Sequence, residues 1–566
     1  MDERKVIEKP ADPDAVKSLK GLAHRRTGMD AEFAAWKPHF EALRENIQPT
    51  RGRFSLGDKS GQTLNKKIID ATARRALRTL KSGLMSGMTS PSRKWFKLGL
   101  HDEAAEQDAE VAAYLHHAEK KAYAVLRASN VYRTLDAAYA DLGLFGTFGG
   151  MIVSDFEDVI TTHAFPMGGY RIQEDHRGKT NVMHRDMLQT VSQIVNRFGI
   201  EQCSTHVQNK WIKNDHYAFV EICHAVEERS GYDPTSPLGA EKQFASLYWE
   251  KGQTDRFLEI SGMDHNSILG PRWERLEGEA WGVNSPGMDA LGDAVQLQGQ
   301  HRDKALAIQL QIRPPLQGPA GSSQTFRNIP GGITTLNVSD LQKGGLRPAY
   351  EARTDIQALM MDIEETRKRI SSSFYEDLFL MTTMSDRRQV TATEIAERHE
   401  EKLLVLGPVL ESLDNGLLSP IVEATFLMMQ KADLLPPAPE SIAGRPIRVE
   451  YISLLAQAQR AVGVAAIERT VGFAGSLAQL KPEVLDVLDG DEILREFSDQ
   501  IGPPPKILRD KSVVDQQRQA NAQAAQQAEQ TQMMMENAQP MAQAAKLISE
   551  TANRGDAGMQ KQGVGI

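Results

Sequence analysis

The chain has 566 residues, 40% of them apolar, with a formal net charge of −9, enough for roughly three or four domains. A weakly acidic balance argues against a protein that coats DNA, which is usually basic throughout, but it leaves open one past which DNA slides. The only cysteines are Cys203 and Cys223, which excludes a disulfide framework and fits a reducing cytoplasm. The first residues, MDERKVIEKPADPD, are charged and lack the apolar core of a signal peptide.

Residues 13–46 read as a helix, with Phe33, Trp36, Phe40 and Leu43 at spacings of three and four and with Trp36 and Phe40 expected in the core. A polar loop follows, then a helix over 64–88 with Ile68, Ile69, Ala76, Leu77, Leu80 and Leu84 on one face. Arg74, Arg75, Arg78 and Lys81 line another face. Such a basic face serves solvation more often than nucleic acid. Ser90-Pro91 stops the helix, and Arg93–Lys97 reads as a short strand. Helices over 104–129 and 131–142 come next, and GLFGTFGG after them reads as a tight helix-to-strand connection. It lacks the Gly-Lys-Ser/Thr that a phosphate-binding loop needs.

From 150 to 282 the pattern changes to short β runs: MIVSDF, YRIQED, KTNVMHRDM, HYAFVEICHAV, QFASLYWEK and RFLEIS, interrupted by a helix over 188–197. This predicts a mixed α+β module. Cys203, His206, His216, Cys223 and His224 do not have the paired spacing of a metal site and read as ordinary strand residues.

Two helices of about 25 residues follow, over 287–312 and 350–377, each roughly 40 Å long. Between them runs a Pro- and Gly-rich segment, 313–349, too long for an idle loop in a compact domain. Together they read as a stalk with a separate tip. In the second helix Ile356, Leu359, Met360, Ile363, Ile370 and Phe374 form an apolar stripe. The tip carries Arg313, Arg327, Lys343 and Arg347 against Asp340 alone, a net +3. A polar loop over 382–389 holds Arg387 and Arg388. Thr391 and Glu394 then form a capping box for a helix to about Leu413, closed by Asp414-Asn415-Gly416, and a second helix covers 417–431. Pro436-Pro437-Ala438-Pro439 breaks the chain before the strand RPIRVEYIS. The Ala-rich stretch 454–480 reads as two packed helices. Glu468 and Arg469 make it too polar to span a bilayer, so no membrane partner is expected. A further helix covers 482–499, and beyond GPPPK the chain is low-complexity Gln, Ala and Met.

A search for chemistry finds no Gly-x-Ser-x-Gly, no His-Glu-x-x-His and no complete phosphate loop. No catalytic residue, metal or cofactor is expected, and the chain reads as built for shape.

Three segments resemble one family in its order and spacing: LKSGLMSGMTSPSRKWFKL at 80–98, WGVNSPGMDALGDAVQLQ at 281–298 and VTATEIAERHEEKLLVLGPVLESLDNGLLSPIVEATFLMM at 390–429. They are similar to the head-to-tail connector, or portal, proteins of short-tailed bacteriophages (podoviruses). The resemblance implies an α+β, mainly helical portal fold assembled as a ring, with no catalysis of its own. It implies a wing over 1–285, a stem over 286–312 and 350–378, a clip over 313–349, a channel loop and remaining wing over 379–458, and a crown over 459–505. The tail 506–566 lies outside it. The implied function is a channel at one capsid vertex of the virion, assembled in the host cytoplasm, through which double-stranded DNA is packaged and ejected. Implied partners are further copies of the chain, as a dodecamer, DNA in passing, the terminase packaging motor, the major capsid and scaffolding proteins, and a tail adaptor protein. Arg387 and Arg388 fall on the channel loop. Arg313, Arg327, Lys343 and Arg347 fall on the clip that docks motor and adaptor. Ile356, Leu359, Ile363, Ile370 and Phe374 would pack the stem. The alternatives are another ring-forming connector or tail adaptor, or a nucleotide-dependent DNA-processing enzyme. Asp289, Asp293, Arg302 and Lys304 leave open which face of the first stem helix meets DNA.

Overall fold

A computed structural model describes residues 13–54, 66–100, 108–229, 231–233, 236–317, 347–348, 355–379, 407–439, 442 and 447–452, with short pieces within 467–494 and 514–546. The chain divides between Gln459 and Arg460 into two units. The first unit opens with α1 (Pro13–Asn46). Its Phe33 and Phe40 are buried against Trp281, at centroid distances of 5.2 and 5.6 Å, and Phe40 meets Phe145 edge-on at 5.9 Å. Trp36 is half-buried instead, because its indole N–H donates to Glu279 Oε2 at 3.1 Å and keeps that edge near solvent.

The second helix, α2 (Thr72–Met88), starts eight residues later than its periodicity predicts. Residues 66–71 are turn and extended chain, and Ile69 is exposed rather than part of the apolar face. The cause is Asp70, whose Oδ1 accepts from the amide of Thr72 at 2.8 Å and from its hydroxyl at 2.6 Å, turning the chain into the helix. Strand β1 (Phe96–Leu100), α3 (Ala109–Ala128) and α4 (Val131–Phe145) follow. Asp108 caps α3 by accepting from Glu110 N at 3.1 Å. Gly146 ends α4 in the left-handed region at φ 72° and donates to Leu142 O, which turns the buried helix directly into a strand.

Strands β2 (Gly149–Asp155) and β3 (Val159–Phe165) form an antiparallel hairpin. The sequence reading missed β3, where Thr161, Thr162 and His163 dilute the apolar alternation. Strands β4 (Tyr170–Glu174), β5 (Thr180–Thr190), β6 (Phe219–Glu228), β7 (Phe244–Glu250) and β8 (Glu259–Met263) then pair in chain order as a five-stranded antiparallel sheet. Between β5 and β6 lie α5 (Val191–Phe198), with a Thr190–Gln193 capping box, and the short α6 (Thr205–Ile212), which the sequence reading also missed. Alternation along β6 sends neighbouring residues to opposite faces. Ile222 packs with Tyr248, Cys203 and the helices α5 and α6, whereas Cys223 and Ala225 pack with Trp249 and with Leu19 and Leu22 of α1. The two thiols therefore belong to apolar layers on opposite faces of one sheet. Both are buried, and burial raises both thiol pKa values. Arg26 of α1 donates to Asp186 Oδ2 at 2.7 Å and fixes the helix across the sheet.

Strand β9 (Ile268–Leu269) joins β2, giving the order β3-β2-β9. Then come α7 (Pro286–Asp289), α8 (Leu291–Ile312), β10 (Leu316–Gln317), β11 (Arg347–Pro348) and α9 (Ile356–Ser373). The Thr391–Glu394 capping box lies outside the described residues. Helix α10 (Gly407–Leu413) runs through a π-helical turn, Asp414–Leu418, into α11 (Ser419–Lys431). This corrects the expected helix end at Asp414-Asn415-Gly416. The glycine is needed for close approach, since a Cβ on Gly416 would lie 2.9 Å from Pro271 Cα, and Gly270 N donates to Gly416 O at 3.3 Å. Strand β12 (Ile447–Tyr451) closes back on β1, with Phe96 opposite Tyr451 and Leu100 opposite Ile447. In the second unit, residues 470–477 are helical, and Arg518 Nη2 donates to Asp491 Oδ1 at 2.9 Å.

Candidate functional site: the paired long helices

The expected helix over 287–312 is two helices. Ser285 Oγ accepts from Met288 N at 3.3 Å and caps the single turn α7, and Ala290 joins it to α8. In α9, Asp355 Oδ1 accepts from the amides of Gln357 and Ala358 at 2.9 and 3.1 Å, so the helix starts at Ile356. It stops at Ser373, because Tyr375 takes a φ of 54°.

The seam between α8 and α9 is apolar at one end. Ala294 and Leu297 are buried on α8, Ile363 and Ile370 on α9, and Phe374 just past the end of α9. Each large buried side chain contributes about 1.5–3 kcal/mol relative to exposure. Polar residues occupy the same seam. Gln300 Nε2 donates to Asp362 Oδ2 at 2.5 Å and to Thr366 Oγ1 at 3.1 Å, and Thr366 is fully buried. Arg369 bridges to Asp293 at 3.1 Å on the solvent side.

One carboxylate ties both helices to the body of the unit. Asp70 Oδ2 accepts from Arg367 Nη2 at 2.6 Å and Nε at 3.0 Å on α9, and lies 3.0 Å from His301 Nε2 on α8. Gln298 of α8 completes the joint: its Oε1 accepts from the amides of Ile69 and Asp70, and its Nε2 donates to Asp70 O. Burial pulls the Asp70 carboxyl up, but the Thr72 hydroxyl and the Arg367 guanidinium outweigh it and hold the pKa at about 2. The sequence reading named none of these four residues. Their signal was present: Gln298 and His301 are polar members of the stripe Ala294, Leu297, Gln298, His301, and Asp70-Ala71-Thr72 is a turn motif at a helix start.

Further along the pair, several apolar side chains are exposed. Leu306 is 54% exposed, Ile312 71%, Met360 52% and Met361 65%. Met360 was expected in the packed stripe but faces outward, and Ile356 and Leu359 are half-buried. Arg313 is exposed where α8 ends, with its amide donating to Gln309 O at 2.7 Å. Strands β10 and β11 pair, Gln317 opposite Arg347, and so close the base of the segment between them. Arg327, Lys343, Arg387 and Arg388 lie outside the described residues. Among the described residues, no three His, Cys, Asp or Glu side chains are grouped to hold a metal, and no helix is long and apolar enough to cross a membrane.

The model of the bacteriophage head to tail connecting protein family matches residues 19–508. The chain is 39% identical over 515 residues to the probable portal protein of Bordetella phage BPP-1, covering 90% of this chain and 92% of that one. It is 36% identical over 544 residues to the portal protein of Salmonella phage epsilon15, covering 96% of each. A solved chain from the neck of an empty gene transfer agent particle overlaps 78% of this chain and 98% of its own, at 12% identity and a TM-score of 0.35, which is too loose to set the fold. By the span of the family match and these two full-length relatives, the chain belongs to the bacteriophage head to tail connecting protein family.

Proposed function

We propose that this chain is the portal subunit of a phage virion, forming a ring whose central channel passes double-stranded DNA during packaging and ejection. The observation that carries the reading is the outer half of the helix pair α8 and α9. Its root is fixed by Asp70, while Leu306, Ile312, Met360 and Met361 stand in solvent on a single chain. Exposed apolar side chains along two long helices call for neighbours, and in a head-to-tail ring each copy supplies both sides of the same contact. The helix pair is then the stem, the segment 313–349 the clip that meets motor and adaptor, and the Arg387–Arg388 loop a sequence-independent contact with passing phosphates. A twelvefold ring follows the family pattern.

Negative-stain images of the purified protein, viewed down the particle axis, test this. Rings with a stain-filled centre are expected; compact particles without a channel, or monomers alone at micromolar concentration, sink the reading.

A further inference from the structure

The contacts between α8 and α9 fix which edge of each helix is left over. On α8, Asp293 meets Arg369, and Gln300 meets Asp362 and Thr366. At about 100° per residue, the edge of α8 turned away from α9 carries Val295, Arg302, Leu306 and Gln309. All four are exposed, Val295 by 49% and Leu306 by 54%. The exposed acid of this helix, Asp303, stands about 100° round from Arg302. On α9 the edge turned away from α8 carries Gln357, Met360, Glu364, Lys368 and Ser371, within about 80°. Arg302 has no ion pair among the described residues. Glu364 accepts from Arg367 through Oε1 alone. The two outer edges are therefore unlike: each has apolar side chains, with a free cation on α8 and a carboxylate on α9.

We infer that these edges mate between copies of this chain, the α8 edge of one on the α9 edge of the next, with Arg302 against Glu364 and Leu306 against Met360. The spacing serves both contacts at once. Leu306 lies one turn beyond Arg302 on α8, and Met360 lies one turn before Glu364 on α9. The two helices run antiparallel, since Asp293 is level with Arg369 and Gln300 with Asp362 and Thr366. Both pairs therefore share one offset along the helices, about 4 Å, which long side chains span. Copies in a closed ring are related by rotation alone, so the levels set within one chain carry over to its neighbour. Lys368 is one turn nearer the root than Glu364, level with Val295, where its aliphatic stem covers apolar surface while the ammonium reaches water. In such an edge the apolar side chains supply contact area and the charge pair selects the partner edge. This contact presupposes the ring proposed above and fixes a register that a ring as such does not require.

Paired cysteines test the contact in the full chain. Leu306 and Met360 sit on opposite outer edges of one copy, so only neighbouring copies can join them. With diamide as oxidant, the variant carrying both Leu306→Cys and Met360→Cys should give a ladder of disulfide-linked oligomers on a non-reducing gel. Either single variant should give none, because unlike edges meet and the native Cys203 and Cys223 are buried. Separately, Arg302→Glu should raise the concentration needed for rings by about tenfold or more, with helix content unchanged, and adding Glu364→Arg should restore assembly. A double-cysteine variant without a ladder, a single-cysteine variant that cross-links as well as the double, or a charge reversal without effect or without rescue overturns this contact and leaves the portal reading standing. Wild-type chains that form no ring defeat that reading, and this contact with it.

Discussion

Asp70 shows how much one buried carboxylate organises. It turns the chain into α2, receives Arg367 from α9 and lies against His301 from α8. Its folded pKa of about 2 lies below the ordinary 3.8, so its contribution is fully present above about pH 4 and is lost as the pH falls through about 2. At ~1.4 kcal/mol per pKa unit this amounts to about 2 kcal/mol. Thermal melts across that window should show the loss for the wild type, and Asp70→Asn should flatten it. The variant should also be less stable at pH 7 by about 2–3 kcal/mol, because Arg367 loses its charge partner. Identical pH profiles for the two proteins would refute the role of Asp70. A second residue-scale prediction concerns Arg387 and Arg388, placed on the channel loop by the proposed function. Changing both to Ala should leave ring formation intact and lower genome retention, read as DNA content per particle; normal packaging and retention would remove them from that role.

Among the elements, the stretch from α10 to α11 was the least legible in sequence. Asp414-Asn415-Gly416 carries every local mark of a helix end, yet the helix continues through a π turn. The deciding contact, Gly416 against Pro271, joins residues 145 positions apart in the chain, and local propensity has no access to it. Gly416→Leu should therefore cost about 1–3 kcal/mol through overpacking, measurable as a lower midpoint in urea unfolding with an unchanged slope. A variant as stable as the wild type would show that the close approach is not needed. The strands β1 and β12 repeat the lesson. The sequence places β12 where it lies but β1 three residues early, at Arg93–Lys97 rather than Phe96–Leu100, and it gives no sign of their pairing across some 350 positions. Two of the overlooked elements, β3 and α6, are short and carry several polar residues, and their positions are set by the hairpin and the sheet that they join.

For the whole molecule, the exposed apolar residues of the helix pair make assembly a matter of stability as well as shape. Leu306→Asp with Met361→Asp should leave the secondary structure of the chain unchanged, since neither side chain is part of the core. The same pair should prevent or strongly weaken ring formation, seen as a shift to monomer in light scattering. Rings that survive the double variant would move the subunit contact away from this face.

The sequence by itself determined most of the helices and strands in their order, the mixed module in the first half, the long helix pair with its intervening segment, and the family. Each of these rests on periodicity, turn chemistry or motif, which are local properties. Only the tertiary structure decided that Gln298, His301 and Arg367 converge on Asp70, that Cys203 and Cys223 lie in opposite layers of one sheet, and that Met360 faces out while Ile363 faces in. A hydrogen bond or a close packing contact depends on the distance between residues remote in the chain, and helical or strand spacing constrains that distance only when the partner element is already in place.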